Sequence, residues 1–257
     1  MTAGYVQFLD TAKSFGSVEV VRKTDLALDR NSLVVFLGPS GCGKTTLMRM
    51  VGGLDRPSSG GILVGGEEVT GPDRRRGMVF QSYSSFPWLT VADNIGFGMR
   101  YRKDIDAAEK ARRTGHYLEL FGLVDFAGSY PNRISGGMRQ RVAIARTLAA
   151  GSDVLLMDEP FGALDALTRE RLQAELRQIQ IREAKTIIFV THDVEEAVFL
   201  ADRIILFSRR PATVVADIDV AAELGSDRPL EIRETQKFFA LRNKVLHLIR
   251  NVAGAAV

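Results

Sequence analysis

Leu33-Val34-Val35-Phe36-Leu37-Gly38-Pro39-Ser40-Gly41-Cys42-Gly43-Lys44-Thr45-Thr46 is the stretch from which the fold follows. Its first five residues are apolar without alternation, the pattern of a strand covered on both faces. The next eight match G-x-x-x-x-G-K-[ST] at every fixed position, and a helix opens at Thr45, the strand-loop-helix context this motif needs. Gly38, Gly41 and Gly43 let the backbone wrap closely, so that N–H groups of residues 38–46, with Pro39, Ser40 and Cys42 between the fixed positions, and the helix N-terminus surround a phosphate. Lys44 adds a point charge for the β- and γ-phosphates, Thr45 a hydroxyl for Mg²⁺, and Thr46 a contact to the α-phosphate. A glycine turn that merely caps a helix is the plainer reading, and the strand in front of it argues against that. Cys42 admits two readings: a thiol made acidic by the helix N-terminus and Lys44, or an inert filler in a loop whose work is done by backbone.

Outward from this stretch, residues 154–157 (VLLM), 187–190 (IIFV) and 204–207 (IILF) are further short, wholly apolar runs, with helical patterns at 135–150 and 166–183. Together they predict an α/β chain with a P-loop core and a mostly parallel sheet. Short strands at 5–9, 19–21, 26–28, 62–64 and 67–69 predict an N-terminal antiparallel β-region, and residues 83–150 a helical subdomain inserted in the core. The expected division is a nucleotide-binding domain over 1–210 and a helical tail over 211–257. The chain has 257 residues, 34 basic against 31 acidic, 46% apolar and 25% charged, which excludes disordered and fibrous classes. Its single cysteine excludes a disulfide framework. No apolar run approaches the roughly 18–20 residues of a membrane span, and the N-terminus lacks the pattern of a secretory signal, so a soluble cytoplasmic protein is expected. The cluster Arg74-Arg75-Arg76 lies in an evident loop and reads as a solvated turn in preference to a nucleic-acid contact.

The strand at 154–157 runs into Asp158-Glu159-Pro160. A carboxylate at the end of a buried strand suits Mg²⁺, the role given to Asp158; Glu159, facing another way if the strand continues, is the general base or water-orienting group. His192 follows the run 187–190 at the strand edge where open α/β sheets bind ligands, which points to the γ-phosphate, although a lone His after a strand is more often structural. Gln81 has a neutral amide for Mg²⁺ or the attacking water. Ser135-Gly136-Gly137-Met138 opens the helix at 135–150 as a second anion-binding N-terminus. Two glycines in a first turn lower helix propensity by about 1 kcal/mol each, which ordinary serine capping does not repay but close approach of a phosphate does.

GPSGCGKTT (38–46), Gln81, ISGGMRQR (134–141), LLMDEP (155–160), FGALD (161–165) and His192 together resemble the ATP-binding cassette ATPases, over about residues 6–250. The resemblance implies that ISGGM of one subunit completes the ATP site of the other, so that two ATPs lie between head-to-tail copies; this gives the spare anion site a ligand. It also implies that Asp165 lies in the loop crossing that interface and that Phe15 stacks on adenine. GPDRRRGMVFQ (71–81), FPWLTVADNI (86–95), YPNRISGGMRQRVAIARTL (130–148) and FVTHDVEEAVFLADRI (189–204) are similar, more finely, to importer ATPases for nitrate, alkanesulfonates, taurine and bicarbonate. Met138, the turn Asp29-Arg30-Asn31-Ser32 and Ser84-Ser85 depart from the wider family's pattern.

The implied function is that of an ATP-hydrolysing importer subunit at the cytoplasmic face of a bacterial membrane. Its implied partners are a second copy, separate permease subunits and, indirectly, an extracytoplasmic solute-binding protein, with no nucleic acid. Phe86-Pro87-Trp88-Leu89 falls in the region that in such importers receives a permease helix; burial within the helical subdomain is the plainer reading for Trp88. A soluble family member acting on nucleic acid, ribosomes or cluster assembly is the alternative, but the long coiled-coil insert, second cassette or basic arm of those lineages is missing from this sequence. In the tail, Phe238, Phe239, Leu241, Val245, Leu246, Leu248 and Ile249 predict an amphipathic helix that packs on its own cassette or makes a dimer contact. The transported solute is not legible.

Overall fold

An antiparallel hairpin opens the chain: β1 (Val6–Phe15) pairs with β2 (Val18–Leu28). Where the sequence pattern suggests three short strands there are two long ones. Register shifts after Phe8 and Thr11, with Asp10 at φ 46°, break the period-2 alternation from which strands are read. The chain continues through β3 (Leu33–Leu37), α1 (Lys44–Val51), β4 (Ser59–Val64) and β5 (Glu67–Glu68). It then forms β6 (Arg76–Val79), α2 (Val91–Phe97), α3 (Ala107–Leu120), α4 (Gly136–Ala149) and β7 (Val154–Asp158). The remainder is α5 (Ala166–Arg182), β8 (Thr186–Thr191), α6 (Val194–Leu200), β9 (Arg203–Phe207), β10 (Val214–Asp219), α7 (Val220–Leu224) and α8 (Gln236–Gly254). This computed structural model describes residues 4–80, 85–162 and 164–254.

The elements fall into two units, residues 1–73 with 173–257, and residues 74–172. In the first, the order β2-β1-β4-β5 forms the expected antiparallel sheet. A second layer runs β10-β9-β3-β8, with β3 parallel to both β8 and β9 and β10 antiparallel to β9. Every residue of β3 and β8 is buried, which is why these runs are apolar throughout. Phe36 anchors this core, its ring 5.2 Å from that of Phe207 and 6.3 Å from that of Phe8; burying each such ring contributes about 1.5–3 kcal/mol. The tail belongs to the same unit: Phe238, Leu241 and Val245 of α8 are buried, while Phe239 is exposed.

In the second unit β6 and β7 pair in parallel. Gly77 of β6 is needed for close packing, since a Cβ there would lie 2.1 Å from Thr147 Cγ2 of α4. Thr90, Asp106 and Ser135 cap α2, α3 and α4, each accepting a hydrogen bond from a first-turn N–H. No helix among the described residues is long and apolar enough to cross a membrane.

Candidate functional site: a phosphate loop and its strand-end partners

In the first unit, β3 delivers the chain into a loop where Gly38, Gly41 and Gly43 have φ of 156°, 72° and 125°. At two of these positions space also forbids a side chain, because a Cβ would sit 2.8 Å from Phe207 O at Gly38 and 2.9 Å from Val20 O at Gly43. Gly43 precedes α1 and no side chain caps that helix, the form of helix start that anion sites use. Lys44 is 5% exposed and its ammonium donates to Gly38 O at 2.7 Å and Pro39 O at 2.9 Å. Cys42 is buried with Sγ 3.9 Å from Lys44 Nζ, and its N–H donates to Pro39 O, the placement of a packed filler. Thr45 and Thr46 occupy the first turn of α1.

The same unit carries His192 and Phe15. Leu37 pairs with Thr191 in the parallel register of β3 and β8, so Gly38 and His192 leave neighbouring strands at one sheet edge. The register therefore brings the loop and the histidine together. Phe15 closes the hairpin that passes the loop at Val20; its ring is half exposed, with Lys13 Nζ 4.7 Å from the centroid. Sequence reasoning missed Arg210. From the loop between β9 and β10 it donates to Gly41 O through Nη2 at 3.0 Å and Nε at 3.2 Å, a contact across 169 residues with no sequence motif to announce it.

In the second unit β7 ends at Asp158, half-buried, and Glu159 follows at φ 43°. The expectation that strand alternation turns Glu159 away from Asp158 is replaced by a different cause: the residue has left the strand and adopts left-handed backbone. That conformation costs about 1–3 kcal/mol in a residue with a Cβ, a strain that clusters at functional positions. Gly162 N–H on Glu159 O and the buried Pro160 and Phe161 hold the turn. Ser135 caps α4 by accepting from Met138 N at 3.3 Å. Gly137 is buried, and a Cβ there would approach Thr168 Cγ2 to 2.7 Å. The propensity cost of that glycine therefore already has a packing reason, beyond the phosphate that the sequence suggested. Thr168 in turn donates its N–H to Asp165 Oδ1 at 3.0 Å, and this bond draws the Asp165 carboxyl below its ordinary range. Residues 135–138 and the Asp165 turn thus meet at Thr168. Gln81 and Ser84 lie outside the described residues.

Trp88 is 70% exposed, which sets aside the plainer reading of burial within the helical subdomain. Asn94, fully buried, receives Phe86 N–H at 2.8 Å and donates to Phe86 O, Leu89 O and Thr90 O, fixing the loop that displays Trp88. Phe86 packs 4.4 Å from Phe97, and the guanidinium of Arg146, lowered in pKa by burial, lies 4.9 Å over its ring. A groove of about 570 Å³ opens between α2 and α3, lined among others by Leu89, Phe97, Arg100, Lys110 and Leu118.

A glycine-built phosphate loop on a parallel sheet, with a lysine inside it, defines a P-loop nucleotide-binding protein. The chain belongs to the ABC transporter family, whose model matches residues 21–162. It is 44% identical over 239 residues to the nitrate import ATP-binding protein NrtD of Synechocystis sp. (strain ATCC 27184 / PCC 6803 / Kazusa), covering 91% of this chain and 90% of that one. It is 42% identical over 238 residues to the taurine import ATP-binding protein TauB of Pelagibacter ubique (strain HTCC1062), covering 92% and 89%. A solved dimeric structure of a post-hydrolysis state of the ATP-binding cassette MJ0796, bound to ADP and Pi, superposes with a TM-score of 0.71 at 30% identity, covering 84% of this chain and 98% of that one. The chain is an ATP-binding ABC ATPase subunit of the P-loop fold.

Proposed function

We propose that the chain powers uptake of a small anion of the nitrate, sulfonate/taurine or bicarbonate class, hydrolysing Mg-ATP between two head-to-tail copies and driving separate permease subunits from the cytoplasmic face of the membrane. In this reading residues 1–210 are the ATPase domain, about 83–150 its helical subdomain and 211–257 its tail. The loop of residues 38–46 binds the phosphates, Lys44 exchanging the carbonyls of Gly38 and Pro39 for phosphate oxygens. Phe15 stacks on the base. Thr45, Asp158 and Gln81 would hold Mg²⁺; their donors are all oxygens, which suit this hard cation, and a nucleotide-bound ion needs only one or two of them from protein. Bound there, Mg²⁺ would supply positive charge to offset that of the phosphates.

Glu159 orients a water and accepts its proton as the oxygen bonds to the γ-phosphorus and the bond to the β–γ bridging oxygen breaks, leaving ADP and phosphate. His192 hydrogen-bonds the γ-phosphate. Ser135, Gly136, Gly137 and Met138 of the second copy close over it with helix N-terminal N–H groups, and Asp165 lies in the loop between copies. The permease contact is the region of Phe86, Pro87 and Trp88. The observation that carries this partner is Trp88, an indole exposed on a loop that Asn94 makes rigid, beside an apolar groove. Large exposed apolar groups in fixed positions mark partner surfaces. A solute-binding protein outside the membrane would select the anion.

The test is recovery of tagged Glu159→Gln protein from gently solubilised membranes in Mg-ATP. A polytopic permease in near-stoichiometric amount is expected, absent when Trp88→Ser is added. Recovery from the soluble fraction alone, with nucleic acid or ribosomes attached, overturns the transport reading and leaves the ATPase chemistry standing.

A further inference from the structure

The helix that follows His192 is short and is held at both ends by the C-terminal tail. α6 has seven residues, too few to be stable without tertiary support. Its last carbonyls are gathered by two buried arginines. Arg228 donates through Nη1 to Phe199 O and Ala201 O and through Nε to Gly225 O. Arg177 donates to Leu200 O at 3.3 Å, and its Nη2 bridges Asp202 Oδ1 at 2.6 Å and Ser226 O at 2.9 Å. Cations at a helix C-terminus complement its dipole. Asp202 also accepts from Leu33 N, at the start of the strand that leads into the phosphate loop.

The first turn of α6 is held from the tail as well. Arg233 donates to Glu195 Oε1 at 3.3 Å and to Gln173 Oε1, and its guanidinium lies 4.3 Å from the Phe199 ring centroid. Gln173 passes this on to Glu196 at 2.9 Å, and Arg242 stands 3.9 Å from Glu195. The N–H groups of Glu195 and Glu196 are the two that Asp193 caps, and Asp193 adjoins His192.

We propose that the tail from Arg228 to Arg242 is a positioning device for His192, with Arg233 as the residue that fixes the first turn of α6 and, through it, the histidine at the sheet edge. This rests on the reading of His192 as a γ-phosphate contact. Misplacing a reacting contact by about 1 Å can cost up to about a hundredfold in rate, so a tail acting here sets turnover and leaves nucleotide affinity, fixed by the loop of residues 38–46, unchanged.

The experiment is single-turnover hydrolysis at saturating Mg-ATP by the full chain, with nucleotide affinity and melting temperature alongside, for Arg233→Ala, His192→Ala and the double variant. Arg233→Ala is expected to lower the rate about tenfold with affinity within about twofold, and to have less than about a twofold further effect in the His192→Ala background. Arg233→Lys, which keeps the charge beside Glu195, is expected to recover part of the rate. Equal losses in both backgrounds, or an unchanged rate in Arg233→Ala beside a slow His192→Ala, overturn the tail's role alone. His192→Ala at the full rate removes the underlying reading, and the inference with it. Should Arg233→Ala not fold, Glu195→Gln breaks the same ion pair from a half-buried position and carries the same comparison.

Discussion

Two helix starts in this chain read as anion sites from the sequence, and they are built in opposite ways. At α1 the residue before the helix is Gly43 at φ 125°, no side chain caps the turn, and the lysine that follows is buried against the loop's own carbonyls. At α4 the residue before the helix is Ser135 in ordinary extended backbone, φ −66° and ψ 165°, and its hydroxyl already accepts the Met138 N–H. The first start is built within one copy from glycines at positive φ, two of them without room for a side chain. The second is a stable capped helix whose serine is exposed and whose Gly137 is explained by Thr168. In the proposed function, binding energy for the nucleotide therefore resides in the unit that holds α1. The groups proposed to act only when the site is closed or reacting are Ser135, Glu159 and Asp165 in the unit that holds α4 and β7, together with His192 in the first.

That division predicts where rate and affinity separate. Glu159→Gln, in the second unit, is expected to lower turnover by about 10²–10⁴-fold, the usual worth of a positioned general base, with ATP affinity retained and ATP-bound dimers accumulating in size-exclusion chromatography. Turnover at the normal rate would remove Glu159 from the chemistry. Lys44→Ala, in the first unit, is expected to weaken ATP binding by about 10–100-fold, since hydrogen bonds to charged groups are worth about 1.5–3 kcal/mol. Fluorescent-nucleotide titration measures this, and unchanged affinity with lost turnover would show the division to be drawn in the wrong place.

The two helix starts also differ in how far they could be read from sequence. The loop of residues 38–46 was legible because its glycines are required by backbone geometry, and geometry of that kind leaves a fixed spacing. β3, β7, β8 and β9 were legible because burial on both faces removes polar residues altogether. β1 and β2 were read as fragments, since bulges shift the side-chain alternation without changing residue type. The left-handed turn at Glu159 leaves no trace in residue identity. Arg210 on Gly41, Arg228 and Arg177 on α6, and Arg233 on Glu195 are contacts of a single arginine with distant backbone or carboxylate. Such a contact needs only a long side chain of the right reach, and nothing in the local sequence distinguishes it from a solvated arginine.

Ser135 offers the finest test of the comparison, because its hydroxyl has one partner in the isolated chain and, in the proposed function, a second in the closed dimer. Removing a serine cap costs about 0.5–2 kcal/mol, which for one unit of this size lowers the melting temperature by a few degrees. If α4 is only a capped helix, Ser135→Ala should show that loss and no other, and Ser135→Thr should restore it. If α4 also receives the γ-phosphate of a second copy, Ser135→Ala should in addition hydrolyse ATP a few-fold more slowly at saturating nucleotide. In that case the affinity of the dilute, monomeric chain for ADP should stay the same, because the loop around α1 alone sets it. The decisive quantity is the dependence of turnover on protein concentration. A defect that deepens as the chain is diluted belongs to the contact between copies, whereas one that is constant at every concentration belongs to the helix itself.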